Sequence, residues 1–319
     1  MTTARPSSPV VESHWSSLKE AGTLKGLLFL AWLQRTFGRR VYSVVLLPVS
    51  LYFCLFRHVA RRASLDFLKT HYRSCPTQWR RQPGYWDVVL HFYCFGQAVL
   101  DKLLAWNISM SEDEFIIEDE KARDQLFEDN SGKLIIGSHL GNLEYCRGFV
   151  HRYKSRKINA LVYDKNSAHF VEMMERHNPE SRMSVYQVDE LDISLILKLK
   201  AKVEAGEWLF IAGDRVPLSG DQRTVVVDFL GRPASFPIGP YMLAQALQCK
   251  VKLMFSYREK NKVKFAVRDF VEKVTLPRND RMATIQRLAQ HYADALAEQA
   301  LQAPLQWFNF FPYWQDSER

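Results

Sequence analysis

Five cysteines lie scattered along 319 residues with no C-x-x-C pair among them. An odd number at such spacings builds neither a disulfide framework nor a zinc cluster, and it fits a reducing compartment. Gly-x-Ser-x-Gly is also missing, which removes the nucleophile elbow of the serine hydrolases. The net charge of +8 comes without zinc-finger spacing, an RNA-binding signature or a basic helix, so no nucleic-acid partner is expected. An anionic membrane surface, a phosphorylated substrate or an acidic carrier protein accounts for that charge better. There is no internal repeat, and no cleavage-site pattern follows a short charged start, so no secretory signal is read.

Charge is wholly absent from residues 41–56, an aromatic and aliphatic run broken only by Ser43, Pro48, Ser50 and Cys54. The run falls short of the roughly 20 residues that span a bilayer comfortably. A second apolar patch, 27–33, lies upstream, and arginines flank the run on both sides: Arg39 and Arg40 before it, Arg57, Arg61 and Arg62 after. That symmetry denies the positive-inside rule an orientation. It fits a segment lying in, or dipping into, an anionic leaflet with arginines at the headgroups. A buried helix of a soluble core is the other reading.

What is present suits an α/β protein: 47% of the residues are hydrophobic, enough for one large core. Residues 1–13, polar with Pro6 and Pro9, are expected to be disordered, and 14–106 to form a helical, membrane-associated region. The remainder, 107–319, reads as an α/β catalytic domain. Nine acids crowd residues 112–129, where a short strand at Phe115–Ile117 is expected to lead into a solvated helix. Apolar runs then recur at 133–138, 158–163, 184–188, 207–212, 224–230, 251–257 and 263–267. Helical patterns fall at 142–153, 166–176, 191–205, 238–248 and 279–301. Such alternation predicts a central sheet layered by helices. The adjacent runs 251–257 and 263–267 predict an antiparallel hairpin, so the sheet is expected to be mixed.

The stretch with most chemistry is Lys-Leu-Ile-Ile-Gly-Ser-His-Leu-Gly-Asn-Leu-Glu, residues 133–144. A buried strand ends at Gly137 and delivers His139 in a turn, with Glu144 five residues on. Two mid-helix positions five apart lie about 140° apart and face different ways. His139 and Glu144 can therefore meet only if the histidine lies in the turn and the glutamate in the first turn of the next helix. Gly141 and Asn142 suit that break. Of nine histidines, only His139 has an acid at the fifth position. Histidine is the usual general base near neutral pH, and a carboxylate fixes its tautomer. A packed core histidine bonded to a neighbouring acid has the same spacing. A metal site on His139, Glu144 and Cys146 matches none of the common zinc patterns, and neither metal nor cofactor is expected.

Three other segments draw notice. The strand 207–212 ends in Gly213-Asp214-Arg215, at the edge where open α/β sheets bind ligands, and Arg215 suits a phosphate or carboxylate. Residues 231–240 read as a Pro/Gly-rich loop, with Gly239 opening a helix whose first N–H groups suit an anion, and Phe236 placed to line an apolar channel. The aromatic ending 304–314 covers a lipid tunnel, sits at a membrane interface or, most simply, packs in the core.

The block Ser-His139-Leu-Gly-Asn-Leu-Glu144 resembles the His-x4-Asp/Glu signature of the lysophospholipid acyltransferase superfamily. It is nearest to the bacterial branch related to the lipid A late acyltransferases. The resemblance extends over most of the chain, through the apolar N-terminal segment, the Gly-Asp-Arg block, the Phe-Pro-x-Gly-Pro loop and the aromatic ending. It departs in having Gly213-Asp214-Arg215 where those enzymes carry an Asp-rich block, and in a tail without their basic residues. The resemblance implies a glycerolipid acyltransferase-like fold at the cytoplasmic face of a bacterial inner membrane. It implies an enzyme moving an acyl chain from an acyl carrier protein or acyl-CoA thioester onto a lipid or amphiphilic acceptor. His139 would be the general base and Glu144 its orienter, with Gly141, Asn142, Asp214, Arg215, Phe236 and Gly239 toward the substrate. An acyl thioesterase and a non-catalytic lipid-binding membrane protein are the alternatives.

Overall fold

A computed structural model describes residues 24–104, 114–154, 157–162, 183–188, 191–216 and 223–315. The expected disorder of 1–13 and the expected helix at 166–176 lie outside them. Three helices come first: α1 (Leu24–Phe56), α2 (His58–Ser74) and α3 (Tyr85–Leu104). After β1 (Phe115–Ile117) and α4 (Glu120–Glu128), the chain alternates strand and helix. It runs through β2 (Lys133–Gly137), α5 (Leu143–Lys154), β3 (Ile158–Val162), β4 (Met183–Gln187), α6 (Ile193–Glu204) and β5 (Trp208–Ala212). Then come β6 (Thr224–Phe229), β7 (Arg232–Pro237), α7 (Gly239–Leu247), β8 (Lys250–Glu259), β9 (Lys262–Val271) and α8 (Arg281–Gln302).

Seven strands form the central sheet in the order β1-β9-β8-β2-β5-β3-β4. It is mixed and mostly parallel: β8 and β9 make the antiparallel hairpin expected from their sequence, and β2, β5, β3, β4 and β8 run one way. Strand alternation sends side chains to opposite faces. Leu134 and Ile136 of β2 join α2, α3 and α8 in one hydrophobic cluster, while Ile135 joins Cys146 and Phe149 of α5 in the other. All five residues of β2 are buried, as a central strand covered on both faces requires. Even Lys133 is enclosed, its ammonium donating to Asp129 O (2.7 Å) and Ser131 O (2.9 Å) and lying 5.2 Å from the Trp208 ring.

Two expectations for 224–240 do not hold. Run 224–230 does not join the central sheet, and 231–240 is not simply a loop: β6 and β7 pair with each other as a separate two-stranded sheet. Leu230 and Gly231, with φ of 56° and 78°, form the tight turn between them, whose twist suits a two-residue hairpin.

Candidate active site

The register of β2 against β5 builds the centre of the site. In these neighbouring parallel strands Gly137 lies beside Ala212, and Gly213 N–H donates to Gly137 O at 2.9 Å. Two residues further along each chain, His139 meets Asp214. The contact is close: His139 Nδ1 lies 2.7 Å from Asp214 Oδ1, and the His139 backbone N–H donates to Oδ2 at 2.9 Å. Both residues stand at the carboxyl ends of parallel strands, where open sheets place their ligand sites.

The two side chains differ in exposure. Asp214 is fully buried, whereas the His139 side chain is 32% exposed. A buried carboxylate needs donors to stay charged, and several surround it. Trp307 Nε1 and Asn309 Nδ2 donate to Oδ2 at 3.0 and 3.2 Å, and Tyr313 donates its hydroxyl to the Asp214 carbonyl at 3.0 Å. Burial pushes the Asp214 carboxyl upward, but the charge and hydrogen bonds of His139, with the Arg215 guanidinium, outweigh it and hold the pKa at about 2. A neutral ring whose Nδ1–H faces this carboxylate carries its lone pair on Nε2.

The C-terminal segment is therefore more than core filling. Phe308 N–H donates to His139 O at 3.0 Å, and Leu140 and Trp307 form an antiparallel bridge. Behind it, fully buried His91 on α3 meets Trp307 O at 3.1 Å through Nε2 and Ser64 Oγ at 2.9 Å through Nδ1. Burial pushes His91 down to about 3, so it is a neutral strut.

Glu144 stands in the first turn of α5, with Asn142 capping that helix by accepting Glu144 N–H at 3.1 Å. The Glu144 carboxylate accepts from Arg147 Nη1 at 2.6 Å, both side chains nearly buried. The sequence spacing assigns the orienting role to Glu144, but the carboxylate on Nδ1 is Asp214, 75 residues away in sequence. Gly141, at φ +63°, approaches β8 so closely that an added Cβ would lie 2.0 Å from Ser256 O.

The remaining site expectations fare unevenly. The N–H groups of Gly141 and Asn142 donate to Gln306 O (2.7 Å) and Ser256 O (3.1 Å), so both are already spent within the fold. Arg215 donates from Nε to Asn309 Oδ1 and from Nη2 to Phe308 O, bracing the C-terminal segment. Phe236 lines no channel: it is fully buried, edge-on to the rings of Phe229, Tyr292 and Tyr313. Gly239 does open α7, but Pro240 has no N–H and those of Tyr241 and Met242 both donate to Ile238 O, so no anion cradle forms there. Trp307, Asn309 and Tyr313, which the sequence does not single out, are the missed supports of the site. Among the described residues no group of three His, Cys, Asp or Glu is arranged to hold a metal ion.

A search of curated proteins found no match. The family model described as bacterial lipid A biosynthesis acyltransferase matches residues 93–316, a span that holds His139, Asp214 and the C-terminal supports, and the chain belongs to that family.

Proposed function

We propose that this acyltransferase moves a fatty acyl chain from an acyl carrier protein or coenzyme A thioester onto a hydroxyl or amine of a lipid-like acceptor. We assign its sheet to the glycerolipid acyltransferase-like fold and its place of work to the cytoplasmic face of a bacterial inner membrane. The observation that carries the reading is the His139–Asp214 pair at 2.7 Å, in a chain of this family.

A thioester is already activated, so the enzyme needs a base more than a covalent nucleophile. His139 Nε2 takes the proton from the acceptor as its oxygen or nitrogen attacks the thioester carbonyl. The C–S bond then breaks, and the departing thiolate takes the proton back from the imidazolium. Asp214 holds the ring's tautomer and stabilises its positive charge, a contribution of typically 10²–10⁴-fold. Glu144, held by Arg147 at 2.6 Å, braces the start of α5 behind the turn. No oxyanion donor is assigned to Gly141 or Asn142, whose N–H groups are in use. The +8 net charge favours both donors, each of them acidic.

The test compares membranes carrying wild type or His139→Ala, given a radiolabelled acyl-carrier thioester and a total lipid extract. The expected result is label in a new lipid with wild type only, and mass spectrometry of that lipid names the acceptor. Label released as free acid regardless of added lipid would make the protein a thioesterase. Equal transfer by both proteins would remove His139 from the chemistry.

A further inference from the structure

Thr36–Phe56 is long and apolar enough to cross a membrane, yet its packing argues against crossing. α1 breaks at Gly38, where φ is +80°, and the part after the break lies antiparallel along α3. Arg39 pairs with Asp101 at 3.2 Å, and Tyr42 donates its hydroxyl to Gly96 O at 2.7 Å. Gln97 donates to Ser43 Oγ at 3.0 Å, and Cys54 Sγ lies 3.9 Å from Tyr85 O. Both ends of this helix are thus fastened to α3.

α3 in turn belongs to the body of the protein. Val88, Val89 and Phe92 lie in the same hydrophobic cluster as the central sheet, and His91 bonds Trp307 O beside the active site. A spanning α1 would have to leave α3 or draw α3 and the sheet into hydrocarbon with it.

The outer face of α1 carries the opposite character. Val44, Leu51 and Leu55 recur at helical spacing and are 72%, 43% and 54% exposed. Tyr85 and Trp86 add exposed aromatics at one end. Arg40 stands exposed before this face, Arg57 and Arg62 after it. An apolar stripe bounded by arginines complements an anionic lipid surface.

We infer that Arg39–Phe56 lies in the plane of an anionic bilayer, apolar face down, as a monotopic docking surface. The inference rests on the membrane association proposed above and fixes its mode. The axis then runs along the membrane for roughly 27 Å at about 1.5 Å per residue. α3 separates it from the catalytic turn.

The test uses the full chain with a small fluorescent unnatural side chain placed singly at position 44, 51 or 55. Vesicles contain phosphatidylcholine with or without phosphatidylglycerol, and lipids brominated near the headgroup or near the bilayer centre act as quenchers. The expected result is preferential headgroup-level quenching, equal within about twofold at all three sites, since an interfacial helix sits some 5–10 Å deep. In a spanning helix, positions 44 and 55 differ in depth by roughly 16 Å, and quenching graded along the helix would overturn the in-plane placement while leaving membrane association intact. No binding to either vesicle would overturn both. Arg40→Glu with Arg57→Glu and Arg62→Glu should weaken binding to phosphatidylglycerol vesicles by on the order of a hundredfold. An unchanged thermal midpoint certifies the fold of that variant, and unchanged binding overturns the anionic specificity.

Discussion

The Trp307 indole donates to the Asp214 carboxylate at 3.0 Å across 93 residues of sequence, and the two are buried together behind His139. Asp214 therefore answers to two masters: the imidazole on the open side, and a rigid aromatic segment on the closed one. Each partner can be removed singly.

Asp214→Asn keeps the shape and removes the charge. kcat should fall about 10²–10⁴-fold. Without the neighbouring negative charge the imidazole protonates less readily, so the acid limb of the rate profile should move to lower pH. A pH–rate profile of both enzymes checks this, and an unshifted limb would show that Asp214 does not bear on the base.

The same carboxylate links stability to pH. Its folded pKa of about 2 lies below the usual carboxylate value, so it stabilises the fold above about pH 4 and loses that contribution as pH falls toward 2. The contribution is on the order of 2 kcal/mol. Urea unfolding of wild type and Asp214→Asn between pH 2 and 6 should show wild type losing more stability as the solution is acidified.

Trp307→Phe retains a buried ring and deletes one donor to a charged acceptor. A loss of about 1.5–3 kcal/mol is expected, shared between stability and transition-state binding because the carboxylate it steadies also steadies His139. Guanidinium unfolding and kcat, measured together, apportion it. No change in either would show that Asn309 and the His139 N–H suffice as donors.

Glu144 and Arg147 form a nearly buried pair at 2.6 Å. Arg147→Met should destabilise by about 3–5 kcal/mol because it removes the cation beside a nearly buried carboxylate, and adding Glu144→Gln should recover part of that loss. A double-mutant cycle in urea reads the coupling. Strict additivity would mean that the pair does not act as one.

Gly141→Ala forces a side chain into a left-handed residue facing Ser256 O. It should cost at least about 1–3 kcal/mol and reduce activity as well, since the displaced turn carries His139. Thermal unfolding and turnover together test this, and a stable, fully active variant would show that the turn tolerates movement.

Much of this architecture was legible because its signals are local. Apolar runs ending in Gly137 and Ala212, the Lys260–Asn261 turn of the hairpin and the Asn142 cap each depend on a few neighbouring residues. What escaped depends on contacts between distant segments. Asp214 lies in a strand end noted for its ligand-binding position, but its pairing with His139 follows from cross-strand register. A signal was present: Ile-Ile-Gly-Ser-His and Phe-Ile-Ala-Gly-Asp place a polar group at the same step beyond a buried run. Trp307 and Asn309 gave no such sign, because aromatic and amide side chains in a hydrophobic tail look alike whether they fill space or hold a carboxylate. The apolar run 41–56 allowed both a membrane reading and a core reading, and in the fold it has one face packed and one apolar face exposed.

The register that aligns Gly137 with Ala212 has a consequence for heredity. A residue inserted within either strand turns the following side chains to the opposite face and carries histidine or aspartate out of reach. Only a matched change in the partner strand restores the pairing. The two strands, far apart in the gene, must therefore vary as a single inherited module, and a chimaera that shifts the register of one without the other separates His139 from Asp214 while leaving each motif intact to the eye.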